Sequence, residues 1–277
     1  MPGVAAHVLS MAAVTAALTA APQAARPAAA PGEARTPRPG QAYAGMGALG
    51  RSARPVNTTK VPEGHIGGMD VSSWQPGVDW AAATARGARF SIAKATEGIA
   101  YKNPYYAAQS RGAADAGMVH GAYHFALPNV SGGAAQADYF IANGGGWTSD
   151  GRTLPGALDV ENNPYRNGLD ICYGLSPAAM VAWIGAFTGR YEARTGRRPL
   201  IYTNYSWWRQ CTKNDKRSAA NPLWTARWRS PTPAPFPGGW KSAAVWQYDD
   251  AGLFAGDQDA FPGDGDALRA FAAGPET

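Results

Sequence analysis

The sequence predicts an α/β fold, a single irregular (β/α) barrel of about five β/α units followed by three further strands. Three observations predict it. From residue 65 onward, short apolar runs alternate with helical stretches, the pattern of a parallel sheet with right-handed crossovers. All 10 Trp, all 8 Phe and both Cys of the 277 residues lie in 65–277, so this part alone carries the material for a core. The connections between the last four strand-like runs hold too few residues for regular crossover helices, which excludes an even eightfold barrel.

The elements follow in order. His65 to Val71 reads as a strand, Val78 to Arg86 as a helix and Ala88 to Lys94 as a second strand. Pro104 to Ala116 is the next helix, stopped by Gly117, and Met118 to Phe125 the third strand. Gly133 to Ala142 is helical and Gly156 to Val160 is strand four. Pro177 to Thr195 carries the strongest helix signals, with Ser176 as N-cap, Pro177 at the first helical position and Gly196 after the end. Pro199 to Thr203, Leu223 to Ala226, Ala243 to Tyr248 and Asp257 to Phe261 are the remaining strands.

Residues 1–64 differ in kind. Val8 to Ala20 is an apolar run too short to span a bilayer and followed by small residues, so 1–25 reads as a signal peptide of a secreted, extracellular protein. The Pro/Ala/Gly/Arg composition of 26–64 reads as a disordered linker or pro-segment, leaving 65–277 as the catalytic barrel domain. Most of the formal charge of +5 sits in this leader half, where six basic residues face two acidic ones. The domain is close to neutral and has no clustered Lys/Arg stripe, so no nucleic-acid partner is expected. No later segment suits stable membrane insertion, and a monomer is expected. Export places Cys172 and Cys211 in an oxidising compartment, where they are expected to pair. Their spacing and the four scattered His do not make a metal site, and no cofactor is implied.

Chemistry in such barrels sits at the carboxyl ends of the strands. Polar residues crowd there: Asp70, Lys94, Glu97, Tyr123, His124, Asp159, Glu161, Tyr202, Asn204, Gln247 and Tyr248. The sharpest local signal is Ala157-Leu158-Asp159-Val160-Glu161. Side chains at 159 and 161 share one face of a strand, with Cα atoms about 6–7 Å apart. Two carboxylates this close cannot both ionise freely, so one is pushed toward the range of a general acid, the equipment for cleaving a glycosidic bond. The same two residues also suit mere capping of the following loop. Several of the Trp residues (Trp74, Trp207, Trp208, Trp224, Trp228 and Trp246) follow polar strand ends. Two or three of them are expected to offer aromatic faces to sugar rings, with Trp246 nearest the cleft, and the rest to be core.

Five ordered blocks then carry a specific resemblance: Gly68-Met69-Asp70-Val71-Ser72-Ser73-Trp74-Gln75, Ile92-Ala93-Lys94-Ala95-Thr96-Glu97-Gly98, Gly121-Ala122-Tyr123-His124-Phe125, Leu158-Asp159-Val160-Glu161 and Val245-Trp246-Gln247-Tyr248. In order and spacing they resemble the family 25 glycoside hydrolases, the Chalaropsis-type lysozymes, and above all their secreted actinobacterial members. The resemblance covers essentially all of 65–270. It implies hydrolysis of the β-1,4 bond between N-acetylmuramic acid and N-acetylglucosamine in peptidoglycan glycan strands. It also implies retention of configuration, with the 2-acetamido oxygen as nucleophile, a substrate-assisted exception to the two-carboxylate scheme. Glu161 matches the general acid and Asp159 the carboxylate that orients the N-acetyl group or steadies an oxazolinium. Asp70 and a C-terminal Asp complete the acidic cluster, and Tyr123 and Tyr202 line the pocket. Where the family reads Asp-x-Asn, this chain reads Asp257-Gln258-Asp259; Asp257 is preferred because it keeps the spacing to Phe261. Gln247, Glu97 and His124 are further candidate substrate contacts, although Glu97 also suits a structural role and His124 a hydrogen-bonded wall. Two other functions remain open at this point: a chitinase-like N-acetylhexosaminidase and a non-catalytic wall-binding module.

Overall fold

A computed structural model describes residues 37–48, 60–165 and 167–274. The leader expected over 1–25 and the linker positions 26–36 and 49–59 lie outside the described residues. Nine strands form, β1 (His65–Val71), β2 (Ala88–Glu97), β3 (Tyr101–Lys102), β4 (Val119–Phe125), β5 (Ala157–Asp159), β6 (Leu200–Asn204), β7 (Leu223–Ala226), β8 (Val245–Asp249) and β9 (Asp257–Pro262). All but β3 close into an eight-stranded barrel in the order β1-β2-β4-β5-β6-β7-β8-β9, with β9 returning to β1; β3 is a hairpin extension of β2. Within the barrel the strands run parallel except β9, which is antiparallel to both neighbours. The connection from Asp249 to Asp257 is too short for a crossover, so the chain must turn back on itself.

The helices are α1 (Trp80–Ala85), α2 (Tyr106–Asp115), α3 (Gly133–Phe140), α4 (Pro177–Thr195), α5 (Tyr205–Thr212) and α6 (Gly265–Ala273). In α4, Ser176 Oγ accepts from the Ala179 amide at 3.3 Å, and Gly196 ends the helix with φ at +74°. Two helices were not expected. α5 occupies the connection after β6 that had seemed too short for one. Asn204 caps it through a 2.9 Å bond from the Trp207 amide, and Trp207, Trp208 and Cys211 are buried. α6 follows the N-cap Asp264 and lays Leu268 and Ala272 against Phe261, closing the barrel floor. No helix among the described residues is long and apolar enough to cross a membrane.

Period-two alternation sorts the strand residues into two layers. Phe90, Ile92, Tyr123, Ala157, Leu200, Tyr202, Trp224 and Val245 fill the barrel. Ala122, Leu158 and Ile201 face outward onto Phe140, Ile184, Phe187 and Tyr191 from α3 and α4. The outer layer is pinned by the Cys172–Cys211 disulfide, which joins the loop after β5 to α5 across a separation of 39 residues. Closing that loop stabilises the fold by about 4 kcal/mol in the chain-entropy model. Replacing both cysteines by Ser is therefore expected to lower the thermal midpoint by about 10 °C. Calorimetry of the oxidised protein and the double variant checks this; an unchanged midpoint would show that the loop is held by packing alone.

Candidate active site

At the carboxyl ends of the parallel strands, the apolar filling of the barrel gives way to acids. Asp70 from β1, Asp159 from β5, Glu161 just past it, and Asp257 and Asp259 from β9 are each at most 4% exposed. Strand register brings them together: Asp70 is opposite Asp257, Asp159 beside Tyr202, and Gln247 opposite Asp259. Gln247 is the hub. Its Nε2 donates to Asp70 Oδ2 at 2.7 Å and Asp257 Oδ2 at 3.3 Å, and its Oε1 accepts from Tyr202 Oη at 2.8 Å and Trp228 Nε1 at 2.9 Å.

The two C-terminal acids occupy different levels. Asp259 lies beneath Asp70, with Oδ1 accepting from Trp224 Nε1 at 2.8 Å. Its Oδ2 has no N–H donor. A proton carried by Asp259 and donated to Asp70 satisfies both carboxyls, in keeping with the direct hydrogen bond between them. Asp257 sits at the mouth beside Gln247.

Burial dominates the acid–base behaviour. It pushes Asp70 up to about 7, against hydrogen bonds from Gln247 and Asp259. It pushes Glu161 up to about 8, against backbone amides that donate to its carboxylate. Asp159 is raised by burial and next by the charge of Glu161, with Lys94 opposing. Both Asp159 oxygens are buried without a hydrogen-bond partner, and a buried acceptor left open is costly unless a ligand fills it. Tyr123 and Tyr202, buried beside these carboxylates, are held well above the ordinary phenol range, so they remain hydrogen-bond donors.

Lys94 points into the barrel, fully buried, and pairs with Glu97 at 2.5 Å. Burial lowers its affinity for a proton while Glu97 restores it. Glu97 also accepts from Tyr165 Oη. Glu97 is therefore tied into an ion pair at the side of the mouth. Tyr165 and Tyr101 are residues at the mouth that sequence reasoning did not single out, whereas Trp228 is one of the indoles it expected there.

Two expected contacts lie elsewhere. His124 follows Tyr123 on β4 and so faces the outer layer, where Thr96 Oγ1 at 2.7 Å and Gln136 Oε1 at 2.8 Å hold its ring against Phe140 and Phe187. Burial keeps it neutral, with its pKa lowered to about 4. Trp246 precedes the inward Gln247 and also faces out, against His65 and Tyr248, with Nε1 bonded to the Arg227 carbonyl at 2.9 Å. The indoles on the cleft are those of Trp228 and Trp74, whose Nε1 donates to the Gln41 carbonyl at 2.8 Å. Trp74 is 44% exposed.

An open groove of about 1180 Å³ exists at the opposite, amino-terminal rim, lined by Trp147, Arg197, Arg198, Trp240 and Lys241. It has no pair of carboxylates and so lacks acid–base equipment. The carboxyl mouth itself is covered by residues 37–48, whose Ala42 and Ala44 are fully buried. This part of the expected linker is ordered against the barrel.

The chain is similar to known proteins in sequence and in fold. The sequence profile of the glycosyl hydrolases family 25 matches residues 69–257. The chain is 48% identical over 216 residues to the N,O-diacetylmuramidase of Chalaropsis sp, covering 76% of this chain and 100% of that protein. It is 44% identical over 245 residues to Lysozyme M1 of Streptomyces globisporus, covering 84% and 82%. The structure of a family GH25 lysozyme from Aspergillus fumigatus superposes with a TM-score of 0.73 at 44% identity, covering 76% of this chain and all of that one.

The buried acids set the pH dependence of stability. A carboxyl raised in the fold contributes stability that is complete below its unfolded pKa and is lost as pH rises through its folded value. For Asp70 and Glu161 that loss runs up to about 7 and about 8. His120 and His124, both lowered from 6.5, act in the opposite sense below that pH. Between pH 6.5 and about 8.5 the thermal midpoint is therefore expected to fall, and Glu161→Gln to make the fall shallower. Equal slopes for the two proteins would contradict a raised Glu161.

Proposed function

The chain belongs to glycosyl hydrolase family 25, and from that premise we propose that it is a secreted muramidase that cuts the β-1,4 bond between N-acetylmuramic acid and N-acetylglucosamine in peptidoglycan. The observation that carries the reading is the pairing of Glu161, a buried carboxyl raised to about 8, with Asp159, a buried carboxyl left without a partner, at the end of one strand.

Each residue then has a distinct task. Glu161 is protonated at neutral pH and gives its proton to the leaving glycosidic oxygen as the bond breaks. Asp159 accepts a hydrogen bond from the N–H of the 2-acetamido group, fixing the acetamido oxygen for attack on the anomeric carbon from the opposite face. The intermediate is a cyclic oxazolinium, and Asp159 steadies its positive charge. Water attacks next, returning its proton to Glu161, so that configuration is retained. Asp70 and Asp257, bridged by Gln247, add negative potential where the cationic transition state develops. They thereby favour it over the neutral sugar. Tyr123 donates to the glycan, Tyr202 holds Gln247 in place through its own hydroxyl proton, and Trp74 and Trp228 supply aromatic faces at the rim. Secretion is supported by the apolar leader and by the Cys172–Cys211 bridge, which persists in an oxidising compartment.

The test is to incubate the protein with peptidoglycan, reduce the products and identify the new ends by mass spectrometry. Muramic-acid ends are expected; glucosamine ends would overturn the reading. Glu161→Gln is expected to lower kcat at least about 100-fold. Much of that loss should be recovered on an aryl glycoside whose leaving group needs no proton. Asp159→Asn should lose activity on both substrates, because the nucleophile is then misplaced whatever the leaving group.

A further inference from the structure

We propose that residues 37–48 form an inhibitory plug, in which the chain's own N-terminal segment fills the glycan cleft and keeps the enzyme latent until a proteolytic cut frees it. The inference rests on the reading of this mouth as the glycan site. The segment reaches the machinery itself. The Gly45 amide donates to Glu161 Oε1 at 2.9 Å and the Gly47 amide donates to Glu161 Oε2. The Ala44 amide donates to Tyr123 Oη at 3.3 Å, and the Ala44 carbonyl accepts from Gln247 Nε2 at 3.2 Å. Farther along, Lys94 Nζ donates to the carbonyls of Gly40 and Ala42, and the Gly40 amide donates to Glu97 Oε1 at 3.2 Å. A glycan offers the same groups, hydroxyl and acetamido donors and acceptors along an extended strand, so the plug and the substrate compete for one set of partners.

The composition of the segment fits close approach rather than a spacer. Gly45 has φ at +111°, and a Cβ there would come within 2.6 Å of Asp257 Oδ2 and 2.8 Å of the Trp228 ring. A Cβ on Gly47 would overlap Glu161 Oε2 and lie 3.1 Å from the Asn162 amide nitrogen. Ala42 and Ala44, which precede them, are fully buried. A side chain at either glycine is therefore incompatible with seating. The two amides oppose the rise that burial imposes on Glu161, which still stands at about 8 with the segment seated, so the block is one of occupancy: the plug takes the carboxyl that the glycosidic oxygen must reach. Hydrolysis of a peptide bond between positions 48 and 61 by an external protease would sever the plug from the barrel. Val61 already packs beside Gly67 at the foot of β1, so the barrel side of the cut stays anchored.

The experiment uses the full chain with a site-specific protease sequence substituted at 52–58, assayed before and after cleavage, beside uncut Gly45→Val and Gly47→Val. Hydrogen exchange of 37–48 is followed in each. The uncut chain is expected to protect 37–48 and to hydrolyse peptidoglycan at least tenfold more slowly than the cleaved form. Either glycine variant should lose the protection and gain activity without cleavage. Free exchange of 37–48 in the uncut chain overturns the proposal, as does equal turnover by cut and uncut forms that are both active. If no form hydrolyses peptidoglycan, the muramidase reading fails. The plug is then decided by binding of a soluble N-acetylglucosamine oligomer, which should be blocked in the uncut chain and restored by cleavage; equal binding overturns it.

Discussion

Everything at the mouth of this barrel depends on how several carboxyl groups are buried within reach of one another. Each would be stable in water, and removal from water without a partner costs far more than a surface ion pair returns. The barrel meets the constraint with a different device for each acid. Glu97 takes a buried ammonium from Lys94. Asp70 takes the amide of Gln247 and a proton held by Asp259. Glu161 takes backbone amides. Asp159 alone is left with both oxygens unpartnered. Barrel closure makes such crowding possible, because eight strand ends converge on one small mouth while Tyr123, Tyr202 and Trp224 fill the space beneath.

Much of this was legible in the sequence because it follows from short-range rules. The end signals of α4 at Ser176, Pro177 and Gly196 are local, and the helix begins and ends where they say. Asp159 and Glu161 share a face because orientation alternates along a strand. The same rule, applied to Tyr123-His124 and Trp246-Gln247, separates each pair: Tyr123 and Gln247 face in, and His124 and Trp246 face out. Treating both members of such a pair as cleft residues placed two aromatic rings on the wrong side of the sheet. α5 and α6 were missed for another reason. Their apolar faces are short, and their caps, Asn204 and Asp264, also read as loop residues.

The segment 37–48 was illegible for a deeper reason. Gly and Ala in a Pro-rich stretch describe a chain with too little apolar surface to fold, and composition has no way to register complementarity to a distant surface. Gly40, Ala42, Ala44, Gly45 and Gly47 acquire meaning only beside Tyr101, Lys94, Tyr123, Asp257 and Glu161, which lie far along the chain. Smallness, which reads as absence of structure in isolation, is here the condition for backbone to reach a carboxylate. A signal was available in the spacing of the small residues, since Gly40, Ala42 and Ala44 alternate with larger ones as a half-buried extended strand does.

Asp159 explains why such a plug can hold without being permanent. The segment satisfies Glu161, Tyr123, Gln247 and Lys94, but it presents no donor to Asp159. A buried acceptor left open costs about 1–3 kcal/mol. A muramic acid residue would bring an acetamido N–H to that position and remove the cost, an advantage the plug cannot match however well its backbone fits. The plug, however, is tethered to the barrel and so competes at a high effective concentration, which offsets that advantage. Severing the tether removes the offset. The balance then tips toward glycan by the one hydrogen bond that aligns the proposed nucleophile, so the group that would discriminate substrate from plug is the group that would commit the substrate to react.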